Sequence, residues 1–111
     1  MVVKVRRAAS GKVVVELDGS FDRETTPEVR RTLFKIARKQ KAEGLELDFS
    51  AVSGIDTAGL AVLIELMRSI SHNGSGLRLT GLGDNVKRVI RLMRLDGIFG
   101  RAIIGTTGNE G

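Results

Sequence analysis

A chain of 111 residues can bury roughly 65% of its unfolded surface, enough for one hydrophobic core and not for two. Its 41% hydrophobic and 28% charged residues lie in the globular range, and the absence of cysteine excludes a disulfide scaffold, a thiol nucleophile and a thiolate zinc site. The net charge of +5, from 18 Lys and Arg against 13 Asp and Glu, raises nucleic acid or an anionic membrane as a partner, and the positions of the basic residues decide the matter.

Val13-Val14-Val15-Glu16-Leu17 is apolar and β-branched, so residues 12–17 read as a strand, and Asp18-Gly19 reads as the turn that ends it. Val2 to Arg6 is expected to pair with it as a hairpin through the turn residues Ser10-Gly11. Thr26 is a suitable N-cap with Pro27 at the first helical position. Val29, Leu33, Ile36, Ala37 and Gln40 then trace one face of a helix that Gly44 is placed to stop. The other face is basic, carrying Arg30, Arg31, Lys35, Arg38, Lys39 and Lys41.

Leu45-Glu46-Leu47-Asp48-Phe49 alternates and predicts a strand with Leu45, Leu47 and Phe49 inward. From Leu60 to Ile70 the apolar residues are nearly continuous, too long for a buried strand. They read as a largely buried helix that starts near Asp56-Thr57, where either side chain can cap the first turn, and closes at His72-Asn73-Gly74. Leu77-Arg78-Leu79-Thr80 is a short strand. Asp84 is placed to cap a third helix, in which Val86, Val89, Ile90 and Met93 repeat at helical spacing until Asp96-Gly97. Ala102-Ile103-Ile104 forms a short tail.

Strands alternating with helices imply right-handed crossovers and parallel pairs, while the opening hairpin adds an antiparallel one. The expected fold is therefore α/β, a single domain with a mixed β-sheet of four or five strands and helices packed on one face. The domain is expected over residues 1–104, with the Gly-rich residues 105–111 as a flexible tail. Both basic clusters, the second being Lys87, Arg88, Arg91 and Arg94, have the spacing of solvated helix faces. With no Trp or Tyr to stack on bases, no nucleic-acid partner is expected. No apolar stretch approaches the ~18 residues of a membrane span, and Met1 to Arg7 holds no signal-peptide run, so the expected location is the cytoplasm.

The usual sets of catalytic residues are missing. The single His72 leaves histidine-based metal or triad chemistry without members. No phosphate-cradling G-x-x-x-x-G-K-[ST] occurs, and in Gly81-Leu82-Gly83-Asp84-Asn85-Val86 a valine stands where a dinucleotide fingerprint needs a small residue. Asp18, Asp22, Asp48 and Asp56 lie near element ends, but the strand at 77–80 ends without the Lys that a phospho-aspartate site would need. No catalytic residue, metal or cofactor is expected.

The remaining motif is Ser53-Gly54-Ile55-Asp56-Thr57-Ala58-Gly59-Leu60. It places a hydroxyl at a helix N-terminus, where backbone N–H groups are unpaired and the dipole favours negative charge. Phosphate on Thr57 would add about −1.5 to −2 charge beside Asp56. The same residues also suit a plain capped helix in which Gly59 admits close approach to a strand, and position alone does not choose between the two.

Asp56-Thr57-Ala58-Gly59-Leu60 is preceded by the strand Leu45 to Ser50 and followed by Gly76 to Leu82 and by Leu95-Asp96-Gly97-Ile98-Phe99. In this order the elements resemble the STAS domain of anti-sigma factor antagonists over about residues 11–100. Leu17-Asp18-Gly19-Ser20-Phe21-Asp22 is similar to the family's G-x-x-D element between its second strand and first helix. The resemblance implies a non-enzymatic protein-binding switch. A partner that is both anti-sigma factor and serine kinase phosphorylates the hydroxyl residue after the motif Asp, and phosphorylation prevents binding. That role falls on Thr57, with Asp22, Asp56, Ala58 and Gly59 in the surrounding partner surface. The Asp-Thr-x-Gly-Leu pattern is equally similar to a second branch, an accessory subunit or N-terminal domain of ABC-type phospholipid transporters. There the module binds the transporter ATPase, which would bring it to the inner membrane surface. Both settings stay open on the sequence.

Overall fold

The computed structural model describes residues 1–39, 44–72, 76–100 and 103–104. In chain order these form β1 (Val2–Arg7), β2 (Val13–Phe21), α1 (Thr26–Lys39), β3 (Leu45–Ile55), α2 (Thr57–His72), β4 (Leu77–Thr80), α3 (Asp84–Leu92), α4 (Asp96–Phe99) and β5 (Ile103–Ile104). The sheet order is β1-β2-β3-β4-β5, antiparallel between β1 and β2 and parallel thereafter. Every crossover steps to the next strand in the same direction, and crossovers of one hand then place their helices on one face of the sheet.

The burial pattern identifies that face. Leu45, Leu47 and Phe49 of β3 and Leu77 and Leu79 of β4 are buried, whereas Glu46 and Asp48 between them are only half-buried and Arg78 is exposed. The inward residues join Leu33 of α1, Leu63 and Leu66 of α2 and Ile90 of α3 in a single cluster. Each such side chain contributes about 1.5–3 kcal/mol by leaving water. The opposite face stays open and carries charges in register: Lys4 and Asp48 both flank Glu16, and Glu46 lies beside Arg78. The described helices include none long and apolar enough to cross a membrane.

Several local expectations are corrected. Asp18-Gly19 does not end β2. Gly19 takes φ +116°, the pairing register slips on either side of it, and the strand continues to Phe21 as a bulged ribbon. β3 likewise runs past Phe49, because Ala51, Val52, Gly54 and Ile55 find partners in Asp18, Gly19, Ser20 and Phe21. β4 ends at Thr80, opposite Asp48, so the β2–β3 pair projects beyond the rest of the sheet.

Thr26 does not cap α1: its hydroxyl donates to the Arg23 carbonyl, and the Val29 N–H bonds to the Thr25 carbonyl one position earlier. Asp84 does not cap α3 either; Gly83 holds that position without a side-chain bond. The third helix stops at Leu92, and a separate turn, α4, carries Phe99 into the core, which leaves Met93 exposed rather than inward. Gln40, Lys41, Asn73, Gly74, Ala102 and residues 105–111 lie outside the described residues.

Candidate functional site

The projecting ribbon ends at Phe21 on one strand and Ile55 on the other, and each strand delivers an aspartate in the next position. The Asp56 N–H donates to the Phe21 carbonyl at 3.2 Å, closing the ribbon. Asp56 then caps α2. Its carbonyl accepts from Leu60 N–H at 3.0 Å, and its Oδ1 accepts from the N–H groups of Ala58 and Gly59 at 2.9 and 3.1 Å. The second oxygen, Oδ2, accepts from the Arg23 N–H at 3.0 Å, 33 residues away in the chain. One carboxylate thus satisfies orphan donors of its own helix and pins the loop that follows β2.

Asp22 organises that loop from the other side. Its Oδ2 accepts from the Ser20 hydroxyl at 2.8 Å, and its Oδ1 accepts from the N–H groups of Glu24 and Thr25 at 3.0 and 3.2 Å. The Thr25 hydroxyl donates to the Ser20 carbonyl at 2.9 Å and accepts from the Asp22 N–H at 3.0 Å. The Ser20 hydroxyl, joined by the two backbone donors and opposed by partial desolvation, holds the Asp22 carboxyl below its ordinary pKa. Asp22 is therefore ionised at neutral pH. Ser20, Arg23 and Thr25 escaped the sequence reading, although Ser20-x-Asp22-x-x-Thr25 is the spacing of side chains that fold a turn on themselves.

Thr57, the first residue of α2, is exposed between these two aspartates. Asp22, Arg23, Glu24, Asp56, Thr57 and Ala58 line a shallow depression of about 350 Å³. Its rim has three carboxylates against one guanidinium. Ala58 is half-buried, and Gly59 is buried. A Cβ on Gly59 would stand 2.6 Å from the Phe21 carbonyl oxygen and 2.8 Å from Ile55, so only glycine lets α2 begin this close to the ribbon. Of the four candidate aspartates, Asp22 and Asp56 come together. Asp48 turns its carboxylate to Ser50, and Asp18 stays exposed beside Ala51 on the ribbon. Among the described residues no group of three or more metal-ligating side chains occurs. Each Asp22 and Asp56 carboxylate oxygen already accepts at least one donor, so this geometry presents the Thr57 hydroxyl for recognition or modification.

The STAS domain profile matches residues 2–109. Anti-sigma-B factor antagonists of Listeria monocytogenes and Listeria innocua are each 26% identical over 97 residues, which is 87% of this chain and 84% of each relative. Among solved structures, an anti-sigma factor antagonist from Mycobacterium paratuberculosis superposes with a TM-score of 0.81 at 23% identity, covering 95% of this chain and 86% of that one. The antagonist SpoIIAA is similar in its unphosphorylated form, with a TM-score of 0.75 at 17% identity over 96% of this chain and 89% of that one. Its phosphorylated form gives 0.70 at 16% over 96% and 92%. The match of sequence profile over nearly the whole length, with the one-sided mixed sheet and the aspartate-capped helix that follows it, places the chain in the STAS domain family.

Proposed function

We propose that this chain is a non-enzymatic binding module of the anti-sigma factor antagonist kind, acting in the cytoplasm, whose partner reads the surface around Thr57. The observation that carries the reading is the position of Thr57. Its exposed hydroxyl sits at the start of a helix whose neighbouring loops are locked by Asp22 and Asp56. A partner would meet a pre-formed surface there and would lose little entropy in ordering it.

The same position suits a phosphate switch. A phosphoryl group on Thr57 would add about −1.5 to −2 charge at a helix N-terminus, where the dipole tolerates it, so the fold would persist while the surface became more negative. With Asp22, Glu24 and Asp56 already on the rim, the added charge would deepen an acidic field facing the partner. The names of the relatives, and the existence of SpoIIAA in unphosphorylated and phosphorylated forms, support this setting over the transporter one. The partner of this reading is an anti-sigma factor that is also the kinase, and residues 1–104 are the functional unit.

The test is to replace Thr57 and measure affinity for the co-purifying ATPase, with intact-mass analysis of the native protein. Thr57→Glu is expected to weaken binding by about 2–5 kcal/mol, as like charges do in a fitted interface, while Thr57→Ser binds as the parent. The proposal predicts an anti-sigma kinase and a phosphate mass shift on Thr57. Recovery of an ABC transporter ATPase with unmodified Thr57 would overturn it.

A further inference from the structure

α3, α4 and the turn between them leave three large apolar side chains in solvent: Leu92, Met93 and Ile98 are 72%, 46% and 48% exposed. Met93 and Leu95 also line a groove of about 210 Å³ against Thr57, Leu60, Ala61 and Ile64 of α2, apolar along almost its entire wall. One end of this groove is Thr57 itself, so it continues from the surface already proposed for the partner.

The turn that builds the groove breaks a local rule. α3 ends with the Leu95 N–H bonded to the Ile90 carbonyl and the Arg94 N–H to the Arg91 carbonyl, both at 2.9 Å, a closure that puts Arg94 in the left-handed region at φ +57°. Glycine is the usual residue there, because a Cβ is penalised. Among the described residues Arg94 is the one non-glycine residue with positive φ. It stands in the chain between the two groove-lining residues, Met93 and Leu95. A costly arginine kept where glycine would close the helix more cheaply points to a use for its charge.

The charge of the whole layer agrees. Residues 23–39, 57–72 and 84–99, which hold the helices, carry eleven Lys and Arg against five Asp and Glu, an excess of six that is larger than the net +5 of the entire chain. Arg88, Arg91 and Arg94 are all exposed.

We infer that the groove takes an apolar side chain from an acidic segment of the protein partner, with the arginines at the end of α3 supplying the countercharge. The inference rests on the reading of Thr57 as part of the partner surface. An anionic membrane fits less well, since the acidic rim of Asp22, Glu24 and Asp56 at the Thr57 end would be pressed against lipid of its own sign. A protein segment can be acidic over the arginines and neutral or basic over that rim.

The probes are two synthetic amphipathic helices with the same leucine stripe, one bearing glutamates and the other lysines on its polar side, titrated into the full chain while amide chemical shifts are recorded. The glutamate helix is expected to bind and to move the amides of Ala61, Ile64, Met93 and Leu95, and the lysine helix is not. Arg94→Glu should weaken the glutamate helix about tenfold or more, as like charge at an interface does. Arg94→Gly should weaken it too while raising the thermal midpoint, a combination that a merely structural arginine would not give. The inference fails if both helices bind equally or neither binds, if the shifts lie elsewhere, or if Arg94→Gly binds as the parent. Phosphatidylglycerol vesicles moving the same amides and displacing the peptide would also overturn it. The two readings fail separately. If Thr57→Glu leaves the native partner bound, the Thr57 surface is wrong whatever the peptides do. If Arg94→Glu leaves that partner bound while Thr57→Glu releases it, only the groove is wrong.

Discussion

The two walls beside Thr57 are built by opposite means. On the ribbon side, Asp22 and Asp56 fold two loops around their carboxylates, and five backbone N–H groups and the Ser20 hydroxyl donate to one or the other. On the α3 side, the surface is apolar, and the Arg94 turn that forms it is strained rather than cushioned. The difference teaches how one helix N-terminus can be read in two ways. The polar wall is already ordered and responds to added charge, whereas the apolar wall gains only when something covers it, through burial of apolar area beside exposed arginines.

Gly59→Ala is the substitution expected to damage both walls at once. Its Cβ would meet the Phe21 carbonyl, which belongs to backbone and has little room to yield, so α2 must move off the ribbon. A loss of about 3 kcal/mol, at the upper end for overpacking, is expected in denaturant unfolding, with weakened binding at both walls. An unchanged midpoint would show that the close approach is not needed.

Asp56→Ala should separate the walls. It removes the cap of α2 and releases the Arg23 N–H, for a loss of about 1–2 kcal/mol. Faster amide exchange is expected at Arg23, Ala58 and Gly59, with Met93 and Leu95 unaffected. Exchange that rises equally on the α3 side would mean that the groove depends on the ribbon after all.

Glu65→Gln serves as the contrast between a visible contact and a useful one. Glu65 accepts from Arg30 at 2.6 and 2.9 Å, and this pairing lowers the Glu65 pKa and raises that of Arg30. Both side chains are about half exposed, so solvent and salt screen the pair, and the thermal midpoint at physiological salt should hardly move.

The smallest expected effect is confined to the polar wall and follows pH. The Asp22 pKa is lowered in the folded protein, chiefly by the Ser20 hydroxyl. Its contribution to the loop is thus complete above the ordinary carboxylate pKa and is lost as pH falls through the lower folded value. Amide exchange at Glu24 and Thr25 should rise in that acid window before any change at Ile64 or Met93. The reverse order would dissociate Asp22 from the stability of the wall.

Several features of the molecule were written in short stretches of sequence. Alternation in Leu45 to Phe49 and the continuous run from Leu60 to Ile70 declare their periods within a few residues, and a core grows from those periods. A cap at Asp56 or Thr57 and Gly59 as the point of close approach were legible for the same reason, because a helix start has local requirements, and the structure gives the cap to Asp56. Other features depended on partners far along the chain. Asp18-Gly19 has the composition of a turn and becomes a bulge only because Ala51 to Ile55 lie alongside to hydrogen-bond it. The Arg23 N–H carries no side-chain signature, and only the tertiary fold brings the Asp56 carboxylate to it. Met93 belongs by spacing to the inward stripe of α3, yet the helix closes at Leu92 and Phe99 takes the core position, so the stripe's last member is left in solvent. The sequence by itself determined the main strands and helices, most of the core and the threonine at a capped helix start, since backbone periodicity and capping are decided by near neighbours. The two walls around that threonine were decided by tertiary structure, because donors, acceptors and apolar surface are assigned only when distant segments meet.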